Sequence, residues 1–177
     1  MATTIKQVEA IPAAYPATPS GLSAAAAALE AGMIWQRIEA YIAHRYTSRA
    51  IEWIVEGCGD WHPPLAPATI STVEVWQSNA WTSATLDPSP LGGYVLPSGT
   101  YRFAGTVGGG TAPEIVDEAF RRLAEYMAAS KRGSPGTTRE RVTAGSVTVD
   151  KSRSASWAAE AMVNSGAADL LRNYRRV

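Results

Sequence analysis

Cys58, Asp60 and His62 fall within five residues of one another and are the first side chains in this chain to suggest chemistry. A thiol beside an imidazole acts as a nucleophile and base when a third group orients the base and both lie within hydrogen-bond reach. Alternate positions in the glycine-rich run Gly57-Cys58-Gly59-Asp60 do not supply that geometry. The expectation is a strand end with a small thiol and a surface histidine. His44, near the end of a helical stretch, reads as a satisfied or solvent-facing histidine. Gly108-Gly109-Gly110-Thr111 precedes a helix start, a place where anions can bind. It lacks the Gly-Lys-Ser/Thr ending of a phosphate loop and the glycine pattern of a dinucleotide site, so it reads as a hinge. Asp117 and Glu118 sit in a first helical turn, where carboxylates favour the helix dipole. No catalytic set, metal set or cofactor site emerges, and no enzymatic activity is expected.

Composition narrows the field further. One cysteine excludes an intramolecular disulfide and zinc-finger spacing, and two histidines argue against a multi-histidine metal site. The 177 residues, 46% of them hydrophobic, suit one domain with a real core. Sixteen Lys and Arg balance sixteen Asp and Glu, which speaks against a strongly basic nucleic-acid binder. The balance hides an asymmetry. Residues 1–90 hold four bases and eight acids, whereas residues 91–177 hold twelve and eight. This is either incidental unevenness or a means of stacking copies head to tail. No apolar run approaches the length of a membrane span, and Met-Ala-Thr-Thr-Ile-Lys has no secretory pattern, so no membrane partner and an intracellular setting are expected. Six tryptophans and seven tyrosines are core anchors first and interface residues second. Trp61, Trp76 and Trp81, at loop edges or on an outer strand face, are candidates for burial by another subunit.

The elements that must position these residues follow from periodicity. Pro12, Pro16 and Pro19 make residues 1–20 an extended, mobile arm. Residues 22–46 read helical, capped by Ser20 or Ser23, with Leu22, Leu29 and Met33 and then Ile34, Ile38, Tyr41 and Ile42 as the apolar stripe and a break at Gly32. The period then becomes two. Ile51, Trp53 and Val55 share one face of a strand that ends in a turn at Gly57–Asp60, and a second strand covers Ile70–Trp76. Asn79 predicts a tight turn before Trp81, and Pro97-Ser98-Gly99 predicts a hairpin that brings Tyr94 and Leu96 near Tyr101 and Phe103. Gly105–Gly110 is expected to be a flexible joint. Thr111-Ala112-Pro113-Glu114 is a capping box opening a helix through Val116, Phe120, Leu123 and Met127 to about Ala129.

Residues 130–141, with Lys131, Arg132, Arg139 and Arg141, form a basic loop expected to be mobile; it is either a solvated face, as most charge runs are, or the lining of a DNA channel or of a contact between subunits. Val147 and Val149 can pair as a short strand. A helix from Ser154 or Ser156 to Val163 is interrupted at Asn164-Ser165-Gly166. The stripe Leu170, Leu171, Tyr174 with Arg175 then forms a C-terminal helical arm, residues 164–177, suited to a partner groove. The fold class is α+β: one domain over 21–163, with helices packed around a small antiparallel β-rich insert at about 49–107.

In this order the segments resemble a family. Ile38-Glu39-Ala40-Tyr41-Ile42-Ala43-His44-Arg45 leading into Ala50–Glu56, Pro64-Leu65-Ala66-Pro67 before Ile70–Trp76, Gly93–Leu96 with Tyr101-Arg102-Phe103, Ala112–Val116 with Ala119–Tyr126, and Leu170–Arg175 are together similar to head–tail connector (adaptor, or head-completion) proteins of long-tailed phages and phage-like gene transfer agents. The resemblance covers roughly residues 34–177 and rests on order and spacing. It implies a structural virion protein, assembled in the host cytoplasm and located at the particle neck. There, usually twelve copies form a ring between the portal protein and the next tail component, a stopper or terminator. The ring extends the DNA channel and touches double-stranded DNA transiently and without sequence preference. The family's C-terminal segment commonly contacts the portal, which points to Leu170, Leu171, Tyr174 and Arg175. The alternatives are a tail terminator or stopper ring and a small nucleic-acid-binding module.

Overall fold

The computed structural model describes residues 1–90, 92–130, 139–152 and 156–175. The class is α+β. The chain divides into two compact units, each discontinuous in sequence, in place of the single domain with a small insert. The β unit holds Met1–Pro16 and Ala43–Thr111; the α unit holds Ala17–Ile42 and Ala112–Arg175.

The β unit is a six-stranded antiparallel sheet. Its strands are β1 (Thr3–Glu9), β2 (Arg49–Trp61), β3 (Ala68–Gln77), β4 (Ala80–Ser83), β5 (Asp87–Pro88) and β6 (Tyr94–Val107). The order is β1-β2-β6-β3-β4, with β5 also on β6. Alternation on β2 turns Ile51, Trp53 and Val55 to one face, where the register sets Trp53 opposite Phe103 and Val55 opposite Tyr101. Val73 and Val75 reach the same two β6 residues from the other side. The sheet buries this face by bending. Trp61 stacks on Phe103 at 4.2 Å between ring centroids and meets Trp53 edge-on at 5.8 Å.

The bend corrects three expectations. Gly57–Asp60 is no turn and Pro97-Ser98-Gly99 no hairpin; both lie inside long continuous strands. Gly57 pairs with Gly99 but Gly59 with Leu96, so β6 carries an extra residue at the site. Pro97, which has no N–H to give, falls in that gap. Gly57 has φ +119°, and a Cβ there would press on the Met1 carbonyl, so only glycine fits. Tyr94 still meets Phe103, at 5.3 Å, because the strand folds over itself. Gly105 is no joint either. It lies in β6, where a Cβ would collide with the Thr69 carbonyl of β3. The Ser78-Asn79 turn between β3 and β4 occurs as expected, with φ of +50° and +63°.

The N-terminal arm is the largest correction. Thr3–Glu9 is a strand, not a mobile segment, and it pairs antiparallel with β2. Two buried indoles reach across to it. Trp53 Nε1 donates to Gln7 Oε1 at 2.8 Å, and Trp61 Nε1 donates to Thr4 Oγ1 at 2.9 Å. At its end, Glu9 accepts from Arg45 Nε at 2.6 Å and Nη2 at 2.9 Å, and from Arg49 Nη1 at 3.1 Å. Arg49 also lies over the Tyr15 ring. Burial pushes the Glu9 carboxyl up, but the hydrogen bonds and charges of Arg45 and Arg49 outweigh it and hold it below the usual carboxylate range.

The α unit contains α1 (Ala24–Ala27), α2 (Ala31–Ile42), α3 (Glu114–Ser130), the hairpin β7 (Arg139–Ala144) and β8 (Val147–Ser152), then α4 (Ala161–Asn164), α5 (Ala167–Leu170) and a 3-10 turn at Arg172–Tyr174. Ser23 caps α1, accepting from Ala26 N–H, while its own N–H and hydroxyl donate to Glu125 on α3. The first helix breaks before Ala31, so Gly32 lies inside α2 rather than at the break. Ile34, Trp35, Ile38 and Ile42 are buried with Val116, Phe120 and Leu123 of α3, and Trp35 meets Phe120 at 5.0 Å. Met33, expected on that stripe, is exposed. Of the two expected helix starts Ser154 lies outside the described residues, and from Ser156 the helix shortens to α4, which Gly166, at φ +75°, separates from α5.

Candidate assembly surfaces

The chemical candidates do not converge. Cys58 is an exposed free thiol on β2, opposite the bulge in β6. Asp60 accepts a hydrogen bond from the Ser89 hydroxyl. Among the described residues, no group of three or more His, Cys, Asp or Glu side chains could hold a metal. A groove of about 410 Å³ in the β unit is lined by Pro63, Leu65, Ala68, Ile70, Pro88 and Tyr94 among others, with no titratable group but the tyrosine phenol. It offers shape and apolar surface rather than reaction chemistry.

The aromatic candidates separate. Trp61 is only 4% exposed and sits in the β-unit core, which corrects its assignment to a neighbouring subunit. Because β2 continues past the bulge in β6, Trp61 returns over Phe103 instead of ending in a loop. Trp76 and Trp81 lie directly opposite each other in the β3–β4 hairpin, 5.1 Å apart and edge to face. They share the outer sheet face with Glu74 and Arg102, which are also a cross-strand pair. Arg102 stacks on Trp81 at 4.8 Å and donates from Nε to Glu74 at 2.6 Å. Trp76 keeps 44% of its surface in solvent. Such a Trp–Trp–Arg cluster has the composition of an interface hot spot.

The C-terminal stripe also separates. Leu171 is fully buried in the α unit and is no arm residue. Ala167 and Leu171, four apart, form the inward stripe; Leu170 and Tyr174, also four apart, form the next one. Leu170 is half-buried, Tyr174 is 39% exposed, and Arg175 stacks over Tyr41 at 5.4 Å. Arg172 pairs with Asp169 at 2.6 Å. Val163, which sequence reasoning did not single out, is 69% exposed.

Of the basic-loop candidates, Lys131 and Arg132 lie outside the described residues. Arg139 and Arg141 are in strand β7, not in a loop. The Arg139 guanidinium grips Asp150 across the hairpin, and that bond raises the arginine's pKa while lowering the aspartate's. Valines 147 and 149 do form a strand, β8. The half-chain charge asymmetry also shrinks in space. The described β unit carries Lys6, Arg45, Arg49 and Arg102 against Glu9, Glu52, Glu56, Asp60, Glu74 and Asp87, a net of −2 rather than −4.

No family model matches the chain, and no curated protein does. Solved structures do. A chain from the neck of an empty GTA particle, computed with C6 symmetry, aligns over 98% of this chain and 96% of its own, with a TM-score of 0.54 and 16% identity. Chains from the neck of the native GTA particle with C12 symmetry and from the virion of the native gene transfer agent particle align over 83% of this chain and over 80% and 75% of their own. Their TM-scores are 0.45 and 0.46, both at 16% identity. The chain thus has the fold of a GTA neck chain from end to end, as the order of its segments leads one to expect.

Proposed function

We propose that this chain is a structural neck protein, a ring adaptor that joins portal to tail in a phage-like particle and extends the DNA channel. The observation that carries the reading is the end-to-end likeness to a gene-transfer-agent neck chain, shared with a segment order read independently from the sequence. In this reading about twelve copies surround the channel in the particle neck after assembly in the host cytoplasm. Contacts between copies use exposed apolar and aromatic surface, Trp76 with Trp81 foremost. Tyr174, Leu170 and Arg175 meet the portal, with Leu171 supporting them from within. Near-neutral charge suits a channel that must let DNA slide, because each phosphate contact adds to the hold on DNA. Arg141 and the basic residues Lys131 and Arg132 supply only weak phosphate contact. No described helix is long and apolar enough to cross a membrane.

The test is a tagged pull-down from producing cells, with partners identified by mass spectrometry. Recovery of portal protein supports the adaptor. Tail tube recovered without portal supports a stopper or terminator ring. Recovery of neither overturns both. Tyr174→Ala with Arg175→Glu should abolish portal capture while leaving the fold intact, since both side chains are exposed.

A further inference from the structure

The β7–β8 hairpin is a sheet of its own. Among the described residues neither strand pairs with a third, so each has one open edge. Two strands standing alone are marginally stable in water. Neither a bulge nor a proline blunts these edges, because Arg139–Ala144 and Val147–Ser152 pair without a register shift. The ribbon is also two-faced. Arg139, Arg141, Thr143, Thr148 and Asp150 share one face, and Val142, Ala144, Val147 and Val149 share the other.

The two strands are complementary in charge. On the polar face β7 carries Arg139 and Arg141, and β8 carries Asp150. On the other face the register places Glu140 of β7 opposite Lys151 of β8. Arg139 holds Asp150 from within the hairpin. Arg141 is directly opposite Asp150 in register and makes no ion pair among the described residues.

We propose that the β7 edge of one copy pairs antiparallel with the β8 edge of the next, so that the ladder inside the hairpin repeats between copies. Repeating the register sets Arg141 opposite Asp150 of the next copy, Thr143 opposite its Thr148 and Val142 opposite its Val149. Valine stays beside valine and polar side chain beside polar side chain. Charge selects this mate, because opposite charges across a ladder stabilise it and like charges oppose it. Two β7 edges would bring arginine beside arginine, and two β8 edges aspartate beside aspartate. A carboxylate has about four acceptor sites, so Asp150 has room for Arg141 of a neighbour as well as its own Arg139. The contact uses the hairpin alone and asks nothing of the β unit. Each copy gives one edge and takes one, which closes into a ring when the rotation permits, and a closed ladder leaves no free edge. The inference rests on the ring reading above and names a surface that joins the copies.

The experiment co-expresses two full-length chains with different tags in producing cells, one with Thr143→Cys and the other with Thr148→Cys, both in a Cys58→Ser background. Purified particles are treated with a short thiol–thiol crosslinker. The expected product joins the two different tags and predominates over products of two like tags. Arg141→Glu in the Thr143→Cys chain should lower its yield about two- to fivefold, and Arg141→Lys should keep it. Like-tag products in equal amount, no product in particles that contain the chain, or a yield indifferent to Arg141→Glu overturns the proposal. Particles that lack the chain overturn the neck reading instead, and crosslinking of the same chains at high concentration in solution then decides the hairpin by itself. Every substituted site is exposed, and a circular dichroism spectrum matching the parent shows that the variants fold.

Discussion

The β2–β6 ladder and the β7–β8 ladder both set large β-branched or aromatic residues opposite one another, and only one of them makes a core. In the first, Trp53 and Phe103 meet across the ladder and are then covered by Trp61, which the bend carries back over them. In the second, Val142 meets Val149 and the two keep 54% and 46% of their surface exposed. Backbone pairing aligns side chains, but burial needs a further layer. In the β unit that layer comes from the strands themselves, through paired irregularities at Gly57–Gly59 and Pro97–Gly99. The hairpin pairs without a register shift, and its three valines stay 46–61% exposed.

The comparison breaks if the two ladders respond alike to truncation. Phe103→Ala should lower unfolding free energy by about 3–5 kcal/mol, whereas Val142→Ala should change it by less than about 0.5 kcal/mol, both read from urea midpoints. Equal losses would mean that the hairpin valines are covered after all. Gly105→Ala sharpens the contrast within the β unit. Its new methyl meets the Thr69 carbonyl and should cost about 1–3 kcal/mol, with the Trp fluorescence of the core as the readout.

Glu9 tests what holds β1 to the ladder. Glu9→Gln leaves Arg45 and Arg49 facing a neutral amide and should cost about 1–2 kcal/mol at neutral pH. The sign with pH follows from a folded pKa held below the unfolded value. The parent's advantage is complete above the ordinary carboxylate pKa of about 4.3 and disappears as pH falls through the lower folded value. A gap between parent and variant that persists into strong acid would show that the carboxylate is not its source. The smallest effect belongs to Arg102→Ala. Its stacking on Trp81 and its pair with Glu74 should contribute about 0.5–1 kcal/mol, seen as a modest shift in midpoint with Trp81 more solvent-exposed.

These elements also mark what sequence reading can reach. Strict alternation located β2 and β3, and Pro113-Glu114 located the start of α3, because those signals are local. Glycine and proline signal a departure from regularity without saying which kind. Gly57–Asp60 and Pro97–Gly99 looked like turns because the strand each would oppose is distant in sequence. The β-branched run Thr3, Thr4, Ile5 and Val8 was legible as a strand, but the prolines after it dominated the reading. At the C-terminus, spacing identified two adjacent stripes and could not tell that Leu171, not Leu170, faces inward. The clamp of Glu9 on Arg45 and Arg49 joins residues some forty positions apart and left no local trace.

The division into two interleaved units has a consequence for synthesis. The chain leaves the β unit after Pro16, returns at Ala43 and leaves again at Thr111. β1 is therefore made before α2, yet its partner β2 follows α2, and α2 must in turn wait for α3. At about 5–20 residues per second, the apolar face of α2 waits several seconds or more for the helix that covers it. Neither half of the polypeptide contains a finished unit. A ribosome stalled near Thr111 holds a β sheet that can close, together with a helix bearing Ile34, Trp35 and Ile38 and lacking the α3 surface that buries them. Holding such a chain safe until its last third arrives is work for the chaperones of the producing cell, and a fragment cut at that point should aggregate where the full chain folds.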